Sequence, residues 1–196
     1  MYKWRHSNAT IHCEIMRTRK MGELPWHYPP HNDGEGLYML TAANFEHTHI
    51  IGVSHERMLR FSQLLLNDVA EVAEIKAWCV LPNHYHILVD LSDLLVVIKI
   101  LGHLHGATSF EWNKEDGVRG RKCWHGVADR KIRSDSHYYA TLNYIHNNPV
   151  KHRYVKKWME WPYSSARQFL KESGRDQALS IWTQYPLFDY GKGWDD

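Results

Sequence analysis

The sequence has few cysteines and no long apolar run. Its three cysteines, Cys13, Cys79 and Cys123, lie far apart and form no CxxC pair. A scattered, odd-numbered set argues against a disulfide framework and fits a reducing compartment. The longest apolar stretch, at 94–101, is too short to cross a bilayer and contains Lys99. The N-terminal residues lack the apolar segment of a signal peptide, so we expect a soluble cytoplasmic protein with no membrane partner.

The sequence also lacks low-complexity tracts and internal repeats, which excludes fibrous and solenoid architectures. Its 196 residues are 43% hydrophobic and 23% charged, as is usual for globular chains. This length suits one domain with extensions, or two small domains. Nine tryptophans and eleven tyrosines are many for this length. They serve either a core or the stacking of nucleic-acid bases, and composition does not separate the two roles.

Charge is unevenly distributed along the chain. The net charge is only +2, yet the segment from Lys114 to Lys157 holds eleven Lys or Arg residues against four Asp or Glu residues. A basic stripe on a nearly neutral protein suggests a surface that binds a polyanion. A solvated charged face is the alternative interpretation of the same run.

Hydrophobic periodicity predicts alternating strands and helices. The order is β-α-β-β-α-β followed by a further helix, which is typical of the α+β class. We therefore predict a ferredoxin-like, split β-α-β (RRM-like) antiparallel sheet with helices on one face, plus a C-terminal helix on which a site can be built. The predicted strands are 36–42, 75–81, 84–91 and 119–133, and the predicted helices are 54–72, 92–112, 134–148 (ended by Pro149) and a short one within 161–174.

A histidine pair lies on the third predicted strand, in LPNHYHILVD. Residues i and i+2 of a strand share a face, so His84 and His86 project together while Tyr85 points away. Two neutral imidazoles on one face can hold a divalent metal. With 15 histidines in the chain the spacing also arises by chance, as it does at 47–49 and 103–105. We discount the latter pair, which falls on a helix, whereas the former remains an alternative.

The helix before Pro149 carries a second polar group. Tyr144 and Asn148 are four residues apart and therefore lie on one helical face, with Lys151 shortly after them. Taken separately, a helical tyrosine is usually a packing residue, and an asparagine before proline is ordinary helix-end chemistry. The segment indicates a site only in combination with the histidine pair.

Together these motifs resemble a known family. LPNHYHILV, followed downstream by YIHNNPVKH and WPYSS, is similar to HUH single-tyrosine transposases of the IS200/IS605 type, and most of all to the REP-associated tyrosine transposase branch. The resemblance covers roughly residues 36–166. It implies a transposase-like catalytic domain at 36–166, between an N-terminal extension at 1–35 and a C-terminal tail at 167–196.

The resemblance implies a chemistry for particular residues. His84, His86 and Asn148 would be the metal ligands, with Mg²⁺ or Mn²⁺ as the ion, and Tyr144 would be the nucleophile. The substrate would be single-stranded DNA beside a hairpin, cut and rejoined through a 5′-phosphotyrosine link. The active form would be a monomer or a homodimer. The basic residues expected to contact DNA phosphates are Arg119, Arg121, Lys122, Arg130, Lys131, Arg133 and Lys151.

Two alternatives to this reading stay open. The first is a catalytically silent, ferredoxin-like protein that binds nucleic-acid hairpins, as a transposase adopted by its host would. The second is a metal-dependent phosphodiesterase that activates water, in which the tyrosine has a structural role. For Trp112 and Trp124, stacking on unpaired bases and packing in the core are both possible, and core packing is the expected role.

Overall fold

The fold is built around one four-stranded antiparallel sheet. The computed structural model describes residues 34–192, so the predicted extension at 1–35 lies outside them except for its last two residues. The strands are β1 (Gly36–Ala43), β2 (Ala73–Val80), β3 (His84–Leu91) and β4 (Ala128–Lys131), in the spatial order β2-β3-β1-β4. Every neighbouring pair in the sheet is antiparallel. The predicted α+β class and antiparallel sheet are confirmed.

Five helices complete the described part of the chain. They are α1 (His55–Ala70), α2 (Leu94–Glu115), α3 (Asp135–Lys151), α4 (Ala166–Ser173) and α5 (Arg175–Gln184). The first three begin at side-chain caps: Ser54, Asp93 and Ser134 each accept a hydrogen bond from a backbone N–H of the following turn. Such caps satisfy N–H groups that have no partner inside the helix, and for this reason these helices begin where the sequence predicts.

Hydrophobic cores lie on both faces of the sheet. On one face α1 and α2 cover inward-facing residues such as Tyr38 and Ile87, with Phe61 and Trp112 filling the layer. On the other face α3 covers Met39, Leu88 and their neighbours through Leu142 and Ile145. The period of two along β1 and β3 explains the division, because alternate side chains of a strand enter opposite cores. The face opposite α1 and α2 is therefore covered by α3.

Two predictions of extent were wrong. The strand predicted at 119–133 is only Ala128–Lys131, and before it Trp124 forms just an isolated antiparallel bridge with Asn44, in which Phe45 N bonds Cys123 O at 2.9 Å. Helix α3 does not end before Pro149 but at Lys151. A proline near a helix C-terminus removes a single backbone hydrogen bond, and Tyr154 N still bonds Pro149 O at 2.9 Å. The helix α5 was not predicted.

Candidate functional site

The two histidines of β3 lie side by side on the sheet face that α3 covers. His84 and His86 are each 1% exposed, and their ring centroids are 5.0 Å apart. Tyr85 lies between them in sequence and enters the opposite core, where its hydroxyl is 3.0 Å from Nε2 of His105. The alternation of the strand therefore separates the pair from the intervening tyrosine, as the sequence predicts.

Hydrogen bonds fix the orientation of both rings. Oγ1 of Thr41, directly opposite His86 in the β1–β3 register, lies 2.7 Å from His86 Nδ1. Oδ1 of Asn83 lies 2.8 Å from His84 Nδ1. The amide nitrogen of Asn83 donates to the backbone oxygen of His47 at 3.2 Å, so its oxygen is the atom that faces His84. With Nδ1 of each ring engaged in a hydrogen bond, Nε2 is the nitrogen that could bind a metal.

Helix α3 brings the tyrosine and the asparagine to this pair. Asn148 Oδ1 is 3.1 Å from His84 Nε2, and the ring centroid of Tyr144 is 5.2 Å from that of His86. Tyr144 and Asn148 reach the pair together because residues four apart share a helical face. The structure thus places all four predicted site residues in one buried cluster between β3 and α3.

The arrangement around His84 fits a bound cation. A neutral imidazole carries one N–H, and here it lies at Nδ1, donated to Asn83. His84 Nε2 lies 3.1 Å from the amide oxygen of Asn148. Two ligands at right angles on an ion with bonds of about 2.1 Å would be roughly 3.0 Å apart. The separation of these two atoms therefore suits two ligands of one cation.

The donor set is two imidazoles and one amide oxygen. Within residues 34–192 no group of three or more His, Cys, Asp or Glu side chains is arranged to hold a metal, so a metal held by the histidine pair would take Asn148 as its third protein ligand. Mg²⁺ prefers oxygen ligands, whereas Mn²⁺ also accepts imidazole. Among the two ions implied by the resemblance, the ligand set therefore suits Mn²⁺ better.

Several neighbours of the site were not predicted from the sequence. The ring of His152 is 5.1 Å from that of His84. His152 follows Asn148 by four residues, and this spacing is a signal that could have identified it. Tyr190 lies 5.8 Å from Tyr144 between ring centroids, and its burial raises the pKa of its own hydroxyl. No local pattern marks Tyr190, because its contact with α3 crosses more than forty residues.

The C-terminal segment covers the tyrosine. Tyr144 is only 1% exposed, and Gly191 lies against its ring. The Lys151 ammonium donates to Gly191 O at 3.0 Å and lies 5.4 Å from the centroid of the Tyr144 ring. Lys151, predicted as a DNA contact, is therefore engaged by this segment in the structure.

The other predicted phosphate contacts fall into two groups. The exposed ones are Arg119, Lys122, Arg130 and Arg133, whereas Lys131 is half-buried beside the Tyr38 ring. Arg130 is close enough to Tyr144 and Tyr190 for its charge to interact with both hydroxyls. Arg119, Lys122 and Arg133 are thus exposed cations, and Arg130 is near the candidate nucleophile.

Arg121 differs from the rest of the set. Its guanidinium bonds Asp116 Oδ2 at 2.6 Å and Asn113 Oδ1 at 2.9 Å. Arg57 bonds the same carboxylate, and hydrogen bonds first from Arg57 and then from Arg121 lower the pKa of Asp116 to about 2. Arg121 thus links the loop after α2 to α1 and α2, and its charge is already neutralised.

The alternative histidine pairs do not form comparable sites. His103 is exposed while His105 is buried against Tyr85 and Trp124, so the two diverge as expected on a helix. His47 and His49 follow β1 in a short irregular turn, where the ring of His47 lies 6.3 Å from that of His125 and His49 is exposed. None of these pairs has both rings aligned on one strand.

The tryptophans at 112 and 124 belong to the core. They are 1% and 6% exposed and pack on Phe61, which confirms the packing role and leaves no face for a base. Cys79 and Cys123 are both buried, and Cys13 lies outside the described residues. Over residues 34–192, none of the helices is both long enough and apolar enough to span a membrane.

Comparison with known proteins gives relatives of one kind. A chain of Haemophilus influenzae named as a REP-associated tyrosine transposase is 34% identical over 115 residues, covering 50% of this chain and 61% of the relative. The REP-associated tyrosine transposase of Escherichia coli is 31% identical over 100 residues, covering 47% and 53%. The chain thus matches between half and three fifths of the length of these relatives. No protein-family model matches it.

A solved structure shares the fold. It is that of a REP-associated tyrosine transposase bound to a REP hairpin, with a TM-score of 0.60 at 19% identity, covering 78% of this chain and 89% of the other. Sequence similarity and fold therefore lead to the same group of proteins. The resemblance to REP-associated tyrosine transposases that the motifs predict is confirmed.

Proposed function

We propose that this chain is a DNA strand transferase that cuts single-stranded DNA beside a hairpin and becomes joined to it through Tyr144. The observation that carries the proposal is the convergence of Tyr144 with His84, His86 and Asn148 in one buried cluster. A phenol beside a preformed set of metal ligands is the arrangement that phosphoryl transfer to tyrosine requires. DNA as the substrate is supported by the two relatives named as REP-associated tyrosine transposases and by the fold neighbour that is bound to a REP hairpin.

The residues of the chain have separate tasks in this reaction. Tyr144 Oη attacks the phosphorus, the bond from phosphorus to the 3′ oxygen breaks, and the phenolic proton is transferred in net terms to that oxygen. The products are a 5′-phosphotyrosine and a free 3′-OH, and a different 3′-OH can reverse the step to join a new strand. A divalent ion held by His84, His86 and Asn148 would polarise the phosphate and favour the phenolate. Arg130, within electrostatic range of Tyr144, stabilises the same negative charge.

The complete set of groups comes from one copy of the chain. Tyr144 reaches the histidines of its own β3, so the proposed reaction needs no second subunit. This favours a monomer over a homodimer as the catalytic unit.

A catalytically silent hairpin-binding protein is the second candidate. The observation that favours it is the burial of Tyr144, whose side chain is 1% exposed beneath the C-terminal segment. A DNA strand cannot reach the hydroxyl unless this segment moves. The two candidates differ in whether a covalent link to DNA ever forms.

The decisive experiment is a search for that link. The protein is incubated with end-labelled, hairpin-bearing single strands and Mn²⁺, and the products are separated under denaturing conditions. We expect a labelled adduct that Tyr144→Phe abolishes and that Tyr139→Phe, on another face of α3, retains. Cleavage without an adduct would identify a water-using phosphodiesterase. Binding with neither cleavage nor adduct would identify the silent protein.

A second variant separates metal binding from DNA binding. His84→Ala removes one metal ligand, so it should abolish the adduct and keep most of the hairpin affinity. Equal loss of both would show that the histidine pair is structural.

A further inference from the structure

A cavity of about 770 Å³ lies on the side of α3 away from the histidine pair. It is enclosed by α3, α4, α5 and the short turn at Trp158–Glu160. Its volume is within the range of small-molecule sites, about 300–1,000 Å³. The proposed reaction does not use it. Its lining comprises Asn143, His146, Lys157, Trp158, Met159, Phe169, Leu170, Arg175, Ala178, Leu179 and Trp182.

Flat rings dominate the interior of the cavity. His146 is stacked on Trp158, with 5.9 Å between centroids and 14° between planes, and its ring is 5.1 Å from that of Phe169. Burial lowers the pKa of His146 to about 3, so this ring is neutral at physiological pH. Trp182 adds a fourth ring and remains 37% exposed. Such surfaces bind planar ligands by stacking.

The charge of the cavity has one sign. Lys157 and Arg175 contribute ammonium and guanidinium groups, and both residues are exposed. Among the described residues that line the cavity, none carries a carboxylate. A purely apolar ligand would gain nothing from two cations, whereas a planar ring attached to a phosphate matches both the lining and the charge.

Hydrogen bonds between the elements hold the cavity open. His146 Nε2 is 2.9 Å from Ser165 Oγ, which ties α3 to the start of α4. The amide of Asn143 donates to the backbone oxygens of Ile181 and Tyr185 at 3.3 and 2.9 Å, which ties α3 to α5. Arg167 donates to Met159 O at 2.8 Å and so fixes the turn. The rings are therefore preorganised for a ligand.

We propose that this cavity binds one unpaired nucleobase of the DNA strand, stacked on Trp182 and Trp158, with a neighbouring phosphate on Lys157 and Arg175. This role presupposes the DNA binding proposed above and adds a second contact on the same strand. Asn143 precedes Tyr144 in sequence, and α3 is only about 10–12 Å across with its side chains. A few nucleotides are therefore long enough to span the distance from Tyr144 to the cavity.

The test compares two DNA ligands in the presence of a chelator, so that binding is measured without cleavage. One is a hairpin with single-stranded flanks, and the other is the same hairpin without flanks. Trp182→Ala should weaken binding of the flanked strand by about 5- to 150-fold, the range for one base stacked on an aromatic ring. Binding of the hairpin without flanks should not change. Phe110→Ala removes an exposed ring on α2, far from the cavity in the fold, and should change neither affinity.

An abasic scan of the flank locates the base. Removing the one base that occupies the cavity should weaken binding to wild type but not to Trp182→Ala. Lys157→Ala should weaken binding of the flanked strand in a salt-dependent way, whereas Lys99→Ala on α2 should not. Thermal melting of each variant shows that it is folded.

Three results would overturn the proposal. The first is that Trp182→Ala loses the same affinity for the hairpin with flanks as for the hairpin without them. The second is that Trp182→Ala binds the flanked strand with wild-type affinity. The third is quenching of the cavity tryptophans by an apolar peptide or a detergent but not by the flank. If wild type bound neither DNA, the proposed function itself would fail, a result distinct from loss of the base contact alone.

Discussion

Gly191 lies directly against the ring of Tyr144. A Cβ atom added to Gly191 would be 2.0 Å from Cε2 of that ring, and the glycine has a φ of +79°. Both features exclude a side chain at this position. The C-terminal segment thus covers Tyr144 through a backbone contact at Gly191 that a larger residue would not allow. The hydrogen bond from Lys151 to Gly191 O stabilises this contact.

Substitution at Gly191 should therefore open the site. Gly191→Ala introduces a clash and backbone strain of about 1–3 kcal/mol, which acts against the docked segment. We expect adduct formation with Mn²⁺ to become roughly tenfold faster, since 1.4 kcal/mol changes an equilibrium tenfold. Gly174→Ala is the matched control, because Gly174 also has positive φ (+75°) but has no atom within 4 Å of an added Cβ. A slower reaction in Gly191→Ala would show that the segment assists the chemistry.

The hydrogen bond between Thr41 and His86 should control metal affinity. Thr41→Val keeps the shape of the residue but removes the partner of His86 Nδ1. Loss of such a supporting contact usually lowers metal affinity by about 10–100-fold. The Mn²⁺ concentration for half-maximal adduct formation should rise by that factor, with the melting temperature little changed. Thr48→Val, at an exposed position, should leave the Mn²⁺ requirement unaltered.

Exposed and ion-paired basic residues should differ in how they affect the dependence of hairpin affinity on salt concentration. Arg133 is exposed, so Arg133→Ala should reduce the slope of log affinity against log salt by about 1. Arg121 is neutralised by Asp116, so Arg121→Ala should leave the slope unchanged. Instead it should lower the free energy of unfolding by about 1–2 kcal/mol, measured by urea denaturation. A reduced slope for Arg121→Ala would show that the ion pair opens when DNA binds.

Two buried histidines should make the fold sensitive to acid. Burial lowers the pKa values of His105 and His146 to about 3. The unfolded chain takes up their protons below about pH 6.5, while the folded chain does not until about pH 3. Stability should therefore be lost as the pH falls through this window, by about 1.4 kcal/mol per pH unit for each histidine.

Replacing one of these histidines should remove its contribution to the pH dependence of the free energy of unfolding. The free energy of unfolding, measured by urea denaturation between pH 4 and 7, should fall less steeply with decreasing pH for His146→Gln than for wild type. His103→Gln, at an exposed position on α2, should decline as wild type does. If the plots of unfolding free energy against pH were parallel for all three proteins, His146 would have to take up its proton in the folded state over the same pH range.

The sequence predicted the pieces of the candidate site but not all of its surroundings. The period of two in β3 and the spacing of four in α3 are local, so they placed His84 beside His86 and Tyr144 beside Asn148. That β3 and α3 meet on the same sheet face depends on tertiary packing, and only the resemblance to a family suggested it. Thr41 and Asn83 required the register of the sheet, whereas the spacing of four after Asn148 could have identified His152.

The errors in the fold also have physical causes. The residues from 119 to 127 were predicted as part of a strand, yet Arg121 is held by Asp116 on the loop after α2. Only Trp124 in this segment pairs with the end of β1, through an isolated bridge to Asn44, so the ladder is not continuous up to β4. The helix α5 carries polar residues on most of its surface and is fixed by Asn143 on α3. No pattern within 175–184 contains that information.

Helix α3 presents Tyr144 to the histidine pair and the preceding residue, Asn143, to the cavity. Adjacent positions on a helix differ in direction by about 100°. The spacing between the two sites is therefore set by a rigid backbone and not by a loop. With a base bound at one site and a phosphate at the other, the fixed distance across α3 would set the number of nucleotides between the bound base and the position of the cut.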